Sequence, residues 1–172
     1  MRSHALLYTL DMTPRRGFTL IELLVVIAII GILSSVVLAS LSAARSRAAD
    51  ASVKANLATV RTQASLYYDL QGRYGSITGT YYVGDCMTSG TMFRETSITG
   101  EARAAADSIT NAIAKAYADG NGTKECRIDG PRSQYLIAIG LKSTNTYWCI
   151  DHTGKAKDIG TSTPAAGVLE CP

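Results

Sequence analysis

Residues 15–33 read Arg-Arg-Gly-Phe-Thr-Leu-Ile-Glu-Leu-Leu-Val-Val-Ile-Ala-Ile-Ile-Gly-Ile-Leu, and this stretch determines how the rest of the 172-residue chain is interpreted. The apolar run extends to Leu41, and residues 18–41 carry one charged side chain, that of Glu22. As a helix this segment would be about 36 Å long, which exceeds the ~30 Å hydrocarbon thickness of a bilayer. The segment therefore predicts a helix that crosses a membrane.

The remaining charges lie outside the apolar segment. The chain has 17 Lys and Arg against 14 Asp and Glu, and its net charge of +3 is too small to indicate nucleic-acid binding. An apolar segment followed by a charged remainder excludes a uniform cytosolic globule, a disordered chain and a coiled-coil rod. It is typical of a membrane anchor followed by an exported domain.

The flanks of the segment favour a cytoplasmic N-terminus, because Arg15 and Arg16 precede it and cytoplasmic flanks carry an excess of basic residues. A cleaved secretory signal is the alternative, since residues 39–43 are small enough for signal cleavage. Against it, the apolar run is longer than the roughly 7–15 residues of a signal-peptide core. It also carries an acid near its start.

Glu22 is that acid. A carboxylate at hydrocarbon level costs roughly 2.5–3.5 kcal/mol on insertion scales, so it usually has a partner, and the segment offers none nearby. If the chain were cut between Gly17 and Phe18, the new amino group would lie one helical turn before Glu22. The same amine could serve Glu22 of a neighbouring copy. The alternative is that the Glu22 side chain extends to the edge of the membrane, where water solvates the carboxylate.

This stretch closely resembles the N-terminus of type IV pilins and pseudopilins. The resemblance covers about the first quarter of the chain, and it is specific because basic residues, glycine, aromatic residue and acid fall at fixed spacing. It implies that a prepilin peptidase cuts after Gly17 and methylates the new amine of Phe18. It also implies that Glu22 guides docking of the subunit into a filament.

The sequence departs from the family in two places. Ala39 stands where the family often has a helix-kinking proline, and no proline occurs between Pro14 and Pro131. The leader, residues 1–17, is long, and Met12 would by itself start a common kind of short leader.

Residues 42–70 predict an amphipathic continuation of the same helix, since they contain no Gly or Pro. Two stripes lie on nearly opposite faces at about 100° per residue. One contains larger side chains that can pack under a globular head: Val53, Leu57, Val60, Ala64 and Tyr67. The other contains small ones that permit close approach of another helix: Ala44, Ala48, Ala51, Ala55, Ala58, Thr62 and Ser65.

A charged flank lies between the two stripes and comprises Arg47, Asp50, Lys54 and Arg61. It predicts a solvated face, since Asp50 dilutes the positive field. The alternative is that Lys54 and Arg61 contact DNA or a lateral subunit, and the sequence gives no further support for nucleic-acid binding.

Residues 71–172 predict a small α+β head. Gly72 is placed to end the long helix. A loop is expected over residues 75–100, a helix over 101–119 capped by Thr99, and strands over 133–141 and 147–151. Residues 152–154 predict a tight turn into 155–158. The predicted fold class is thus α+β, with a long N-terminal helical stalk packed against a small antiparallel sheet.

Five tyrosines fall within sixteen residues where the long helix gives way to the head: Tyr67, Tyr68, Tyr74, Tyr81 and Tyr82. Aromatic packing of the head onto the stalk accounts for them.

Four cysteines follow the apolar segment, which fits an oxidising compartment. They allow three pairings. The resemblance implies a Cys149–Cys171 bridge that closes a C-terminal loop, and Cys86–Cys126 would then tie the inserted loop and helix. A zinc site is disfavoured, because no Cys-x-x-Cys pair exists and His152 is the only histidine after the leader.

Enzyme motifs are absent from the sequence: it contains no Gly-x-Ser-x-Gly, Walker loop or His-Glu-x-x-His. We therefore expect no catalytic residue, cofactor or metal. Asp151 and Asp158 are expected to face each other across the hairpin, where calcium is conceivable but disfavoured by Lys155 and Lys157. Residues 121–123 match a glycosylation acceptor pattern, although residues 119–122 first of all predict a turn.

The resemblance implies a structural subunit of a type IV pilus-like surface filament. The subunit would be made as a single-pass precursor in the cytoplasmic membrane and would become extracellular on assembly. The implied partners are other copies of the chain, the prepilin peptidase, an inner-membrane assembly platform and, before assembly, membrane lipid. One alternative is a pseudopilin of a type II secretion or DNA-uptake system. The other is a membrane-anchored binding domain that never polymerises.

Overall fold

The computed structural model describes residues 17–75, 81–84, 86, 92–93, 95 and 97–172. The leader up to residue 16 and half of the predicted loop at 75–100 lie outside the described residues. The chain divides into two compact units, Met1–Ser40 and Leu41–Pro172.

Helix α1, Leu20–Gln71, runs for 52 residues through both units. Gly31 does not interrupt it. It ends where predicted, because Gly72 adopts a φ of +66° and donates its N–H to the carbonyl of Tyr68 at 2.7 Å. Glycine takes this left-handed conformation without a steric penalty, which makes it a helix stop.

The two predicted stripes of α1 differ in exposure as expected. Every member of the larger-residue stripe, from Val53 to Tyr67, is fully buried. Every member of the small-residue stripe, from Ala44 to Ser65, is exposed. Within its own unit, the second half of α1 therefore packs one face into the head and leaves the small face open.

The head contains helix α2, Gly100–Asp119, and five short strands. The strands are β1 (Tyr81–Gly84), β2 (Lys124–Asp129), β3 (Tyr135–Gly140), β4 (Tyr147–Asp151) and β5 (Ala156–Asp158). Neighbours in the order β1-β2-β3-β4-β5 pair antiparallel. The predicted α+β class, a long helix with a small antiparallel sheet, is confirmed.

Two details of the head differ from the sequence-based expectation. Strand β2 was not predicted, although its apolar Cys126 and Ile128 alternate with charged residues, a pattern typical of a strand. Helix α2 starts at Gly100, and the side chain of Thr99 makes no capping hydrogen bond.

Both faces of the sheet centre are covered. One face carries Ile128, Ile137, Ile139 and Ile150, which belong to the same core cluster as the buried side chains of α1 and α2. The opposite face forms a second cluster of Leu136, Ala138, Cys149 and Cys171, against which Tyr147 and Ile159 pack. Strand β3 is consequently buried at every position, rather than on the one side that its alternation predicted.

The charged flank of α1 is a solvated face only in part. Arg47 and Lys54 are exposed as predicted, whereas the prediction is wrong for Asp50. Asp50 is only 5% exposed, and its carboxylate accepts the backbone N–H groups of Lys142 at 2.6 Å and Ser143 at 3.1 Å. Lys54 places its ammonium 4.5 Å from the ring centroid of Trp148, and Arg61 donates to the Gly154 carbonyl at 2.9 Å. These side chains connect α1 to the loop after β3, to strand β4 and to the turn between β4 and β5.

Aromatic side chains join the end of α1 to the sheet, as predicted. Tyr74 lies 4.7 Å from Tyr135 and 6.0 Å from Phe93 between ring centroids, and Tyr67 lies 5.6 Å from Phe93. Tyr68 stacks on Tyr74 at 4.7 Å. The side chains of Tyr81 and Tyr82 lie outside the described residues.

Burial, and then the nearby Glu95 carboxylate, raise the pKa of Tyr67 to about 12. The phenol also donates a 3.3 Å hydrogen bond to Glu95. An unfolded tyrosine titrates near ~10. The contribution of Tyr67 to stability is therefore complete below about pH 10 and is lost as the pH rises through about 12.

We expect Tyr67→Phe to lose less stability than the unaltered protein when the pH is raised from about 9 to about 11. Urea unfolding of the full-length protein in detergent, followed by Trp148 fluorescence, would measure this difference. Burial also raises the pKa of Tyr135, so part of the alkaline destabilisation should remain in the variant. An identical loss in both proteins would contradict the assignment to Tyr67.

Candidate functional site

The predicted cleavage point lies in an open stretch at the start of α1. Residues 17–19 adopt no regular structure before the helix begins at Leu20. Phe18 is 77% exposed, and a Cβ added to Gly17 would meet nothing within 4 Å. The Gly17–Phe18 peptide bond thus sits in non-helical, accessible backbone, the form in which a peptidase can bind it.

Glu22 closes a capping box with Thr19. The Glu22 Oε2 atom accepts the backbone N–H of Thr19 at 2.9 Å and its hydroxyl at 2.8 Å. In return, the Thr19 hydroxyl oxygen accepts the backbone N–H of Glu22 at 3.3 Å. Two backbone donors that a helix start leaves unpaired are satisfied in this way. Sequence reasoning missed this role, although a threonine three residues before a glutamate is its signature.

The charge of Glu22 is hydrogen-bonded but not neutralised within its own segment. Residues 17–40 contain no Lys or Arg. Both bonds from Thr19 reach the same carboxylate oxygen, Oε2. The geometry therefore presents a helix-start carboxylate whose counter-ion has to come from elsewhere.

The surroundings of Glu22 are apolar and exposed. Large hydrophobic side chains from Leu23 to Leu38 are between 46% and 67% exposed. Among the described residues, α1 is the one helix long and apolar enough, by length and composition, to cross a membrane. The side chain of Ala39, at the position where a proline kink would fall, is not described.

The four cysteines form two bridges, Cys86–Cys126 and Cys149–Cys171, with Cα–Cα distances of 5.4 and 5.9 Å. These are the two pairings that the resemblance implies. The first links the segment after β1 to β2. The second holds the C-terminal end against β4, over the second core cluster.

Two buried charged residues, neither of which was predicted to anchor this segment, fasten the C-terminal segment to the outer face of the sheet. Arg127 on β2 is 3% exposed and donates to the carbonyls of Pro164, Ala165 and Val168. It also forms an ion pair with Glu125. Asp151 on β4 is fully buried and accepts the Cys171 N–H at 2.7 Å.

Asp151 and Asp158 do not face each other across the hairpin, so the prediction that they do is wrong. The register places Asp158 opposite Trp148. Asp151 accepts the N–H groups of Thr153 at 2.9 Å and Lys155 at 3.2 Å in the turn, while Asp158 accepts from Thr146 and Gly160. Across the part of the chain that the structure describes, no group of three or more His, Cys, Asp or Glu could hold a metal ion.

Comparisons with known proteins concern the N-terminal segment. A family model described as the prokaryotic N-terminal methylation motif matches residues 12–38. The chain is 59% identical over 46 residues to the type IV wide pilus major component PilA4 of Thermus thermophilus. That match covers 27% of this chain and 35% of the relative, so the chain spans about a third of the length of that curated protein. No solved structure matches the chain. The motif and the relative support a type IV pilin family.

Proposed function

We propose that this chain is the precursor of a structural subunit that assembles, through its N-terminal helix, into a type IV pilus-like surface filament. The observation that carries the proposal is the Glu22 carboxylate at the start of an exposed apolar helix, one turn after an accessible Gly17–Phe18 bond. In the described part of this segment, residues 17–40, no Lys or Arg is present to neutralise it. The proposal needs no cofactor, metal or catalytic residue in this chain.

Processing would supply the missing counter-ion. Cleavage after Gly17 by a prepilin peptidase creates an amino group on Phe18, and methylation leaves that amine positively charged. Thr19 already holds Glu22 Oε2. The carboxylate can therefore pair with the Phe18 amine of a neighbouring subunit while its capping box persists. Such pairing offsets the cost of burying either charge in an apolar core, and it sets the axial register of the subunits.

Assembly would also cover the apolar surface. The exposed side chains between Leu23 and Leu38 can face lipid in the precursor and other copies of the same helix in the filament. The exposed small-residue stripe from Ala44 to Ser65 permits close approach of a helix from a neighbouring subunit. The N-terminus would lie in the cytoplasm before cleavage, and an inner-membrane platform would extract the subunit.

We expect the mature protein to begin at Phe18 with a methylated amine. Mass spectrometry of the N-terminal peptide, from cells that express the prepilin peptidase, would detect it. Cells lacking the peptidase provide the control, in which residues 1–17 should stay attached. A mature protein that begins near Ala43 would instead indicate an ordinary signal peptide.

Electron microscopy of sheared cell surfaces, with mass spectrometry of the fibres, tests the proposal as a whole. Long extracellular filaments that contain this chain as a principal component would support a pilin. Short periplasmic fibres would indicate a pseudopilin. A processed protein that remains unpolymerised in the membrane would overturn the filament role.

A further inference from the structure

The turn between α2 and β2 holds an Asn-Gly pair, Asn121 and Gly122, against the end of β3. The Asn121 backbone N–H donates to the Gly140 carbonyl at 3.0 Å, and the Gly140 N–H donates to the Thr123 carbonyl at 3.0 Å. The turn is therefore fixed at both ends, while Gly122 and Thr123 are exposed to solvent.

The side-chain amide of Asn121 is polarised by its neighbours. Its Oδ1 atom accepts the Thr123 backbone N–H at 3.0 Å and also the Thr123 hydroxyl. Two donors on a carbonyl oxygen stabilise the negative charge that develops there when a nucleophile adds to the carbon. The Nδ2 atom makes only a long, 3.4 Å contact with Asn145 Oδ1.

The nucleophile in this geometry is the backbone nitrogen of Gly122. No hydrogen bond to the Gly122 N–H occurs within the described residues. Glycine has no side chain to block approach, and Gly122 adopts a φ of +84°, which other residues rarely take. The next residue along the chain thus offers an unengaged amide nitrogen beside an activated amide carbon.

We propose that Asn121 is a site of spontaneous deamidation in the folded protein. The Gly122 nitrogen loses its proton to solvent base and bonds to Cγ of Asn121. The Cγ–Nδ2 bond then breaks, and Nδ2 leaves as ammonia with a proton from water. The resulting cyclic imide opens when water adds to either carbonyl, which gives aspartate or isoaspartate at position 121. The net change consumes one water and releases one ammonia, with no oxidation.

The modification would alter the junction between α2 and β3. A Cβ built on Gly140 would lie 2.0 Å from Asn121 Oδ1, so the backbone of β3 packs directly on this side chain. An isoaspartate lengthens the backbone by one carbon at position 121, the residue whose N–H donates a hydrogen bond to the Gly140 carbonyl. Either product adds a negative charge two residues from Asp119. Because the reaction is spontaneous, the fraction of chains modified at position 121 would rise with time after folding.

Peptide mapping by mass spectrometry, on full-length protein incubated at neutral and mildly alkaline pH, tests the proposal. We expect position 121 to convert first, ahead of Asn56, Asn111 and Asn145, each of which is followed by a residue with a side chain. The rate should rise with pH, because the attacking nitrogen must lose its proton. Equal or faster conversion at Asn145 would overturn the proposal.

Thr123→Val provides the matched variant, because it keeps the shape and the backbone N–H but removes the hydroxyl donor. We expect it to slow conversion by about three- to tenfold, the effect of one hydrogen bond. An unchanged rate would overturn the role of the two donors. A sugar attached to Asn121 in protein recovered from cells would overturn the proposal as well, because the substituted amide marks position 121 as a glycosylation acceptor.

Discussion

Glu22→Ala should abolish filaments while the protein still inserts into the membrane. Removing the carboxylate relieves an insertion cost of roughly 2.5–3.5 kcal/mol, so the precursor should insert at least as well as before. In the proposed filament, the substitution would leave the Phe18 amine of a neighbour buried without its counter-ion. Breaking a buried ion pair from one side costs about 3–5 kcal/mol, which weakens each contact by about a hundredfold or more.

Two further variants separate the charge of Glu22 from its capping role. Glu22→Gln keeps a side-chain oxygen that can close the capping box, yet it removes the charge, so it should also fail to form filaments. Thr19→Val removes the hydroxyl from the capping box but keeps the carboxylate, and filaments should persist. Filament yield from sheared cells and membrane fractionation would measure the two properties separately. Normal filaments from Glu22→Gln would show that charge pairing is not what docks the subunit.

Arg127→Met should destabilise the head by about 3–5 kcal/mol, because it removes one partner of a buried charge network. The variant leaves Glu125 without its ion-pair partner. It also removes the Arg127 hydrogen bonds to the carbonyls of Pro164, Ala165 and Val168, of which Ala165 keeps only the N–H of Val168. The C-terminal segment would then be held mainly by Asp151 and the Cys149–Cys171 bridge.

Urea unfolding of the full-length protein in detergent, read by Trp148 fluorescence, would measure this effect. Arg103→Met is the matched control, since Arg103 forms an exposed ion pair with Asp107 on α2. Such a pair contributes at most about 1 kcal/mol. The same small change in both variants would refute the anchoring role of Arg127.

The sequence alone was sufficient to predict the structure wherever a local pattern indicates which side of an element is apolar. The stripe from Val53 to Tyr67 repeats at helical spacing, and such a stripe is stable only when it is buried. Gly72 could be read as the end of α1 because a left-handed residue there needs glycine. The resemblance to type IV pilins, carried by Gly17, Phe18 and Glu22, implied the candidate processing site, which occupies a few consecutive residues.

Local patterns failed where the partner lies far along the chain. Asp50 occupies a polar flank of α1, yet the loop that buries it begins at Lys142. Arg127 was given no role from sequence, because the carbonyls that it binds begin at Pro164, 37 residues further along the chain. The periodicity of a helix or strand shows on which side of the element a residue lies. It does not identify the segment that packs against that side.

The sequence by itself therefore determined the long helix, its two faces and the carboxylate one turn after the proposed cleavage bond, since each depends on residues a few positions apart. Only the tertiary structure decided which charges are buried, which face of the sheet the C-terminal segment covers, and that Asp151 and Asp158 lie apart. Those features arise when segments distant in sequence meet to satisfy each other's hydrogen bonds, and no local spacing specifies such a meeting.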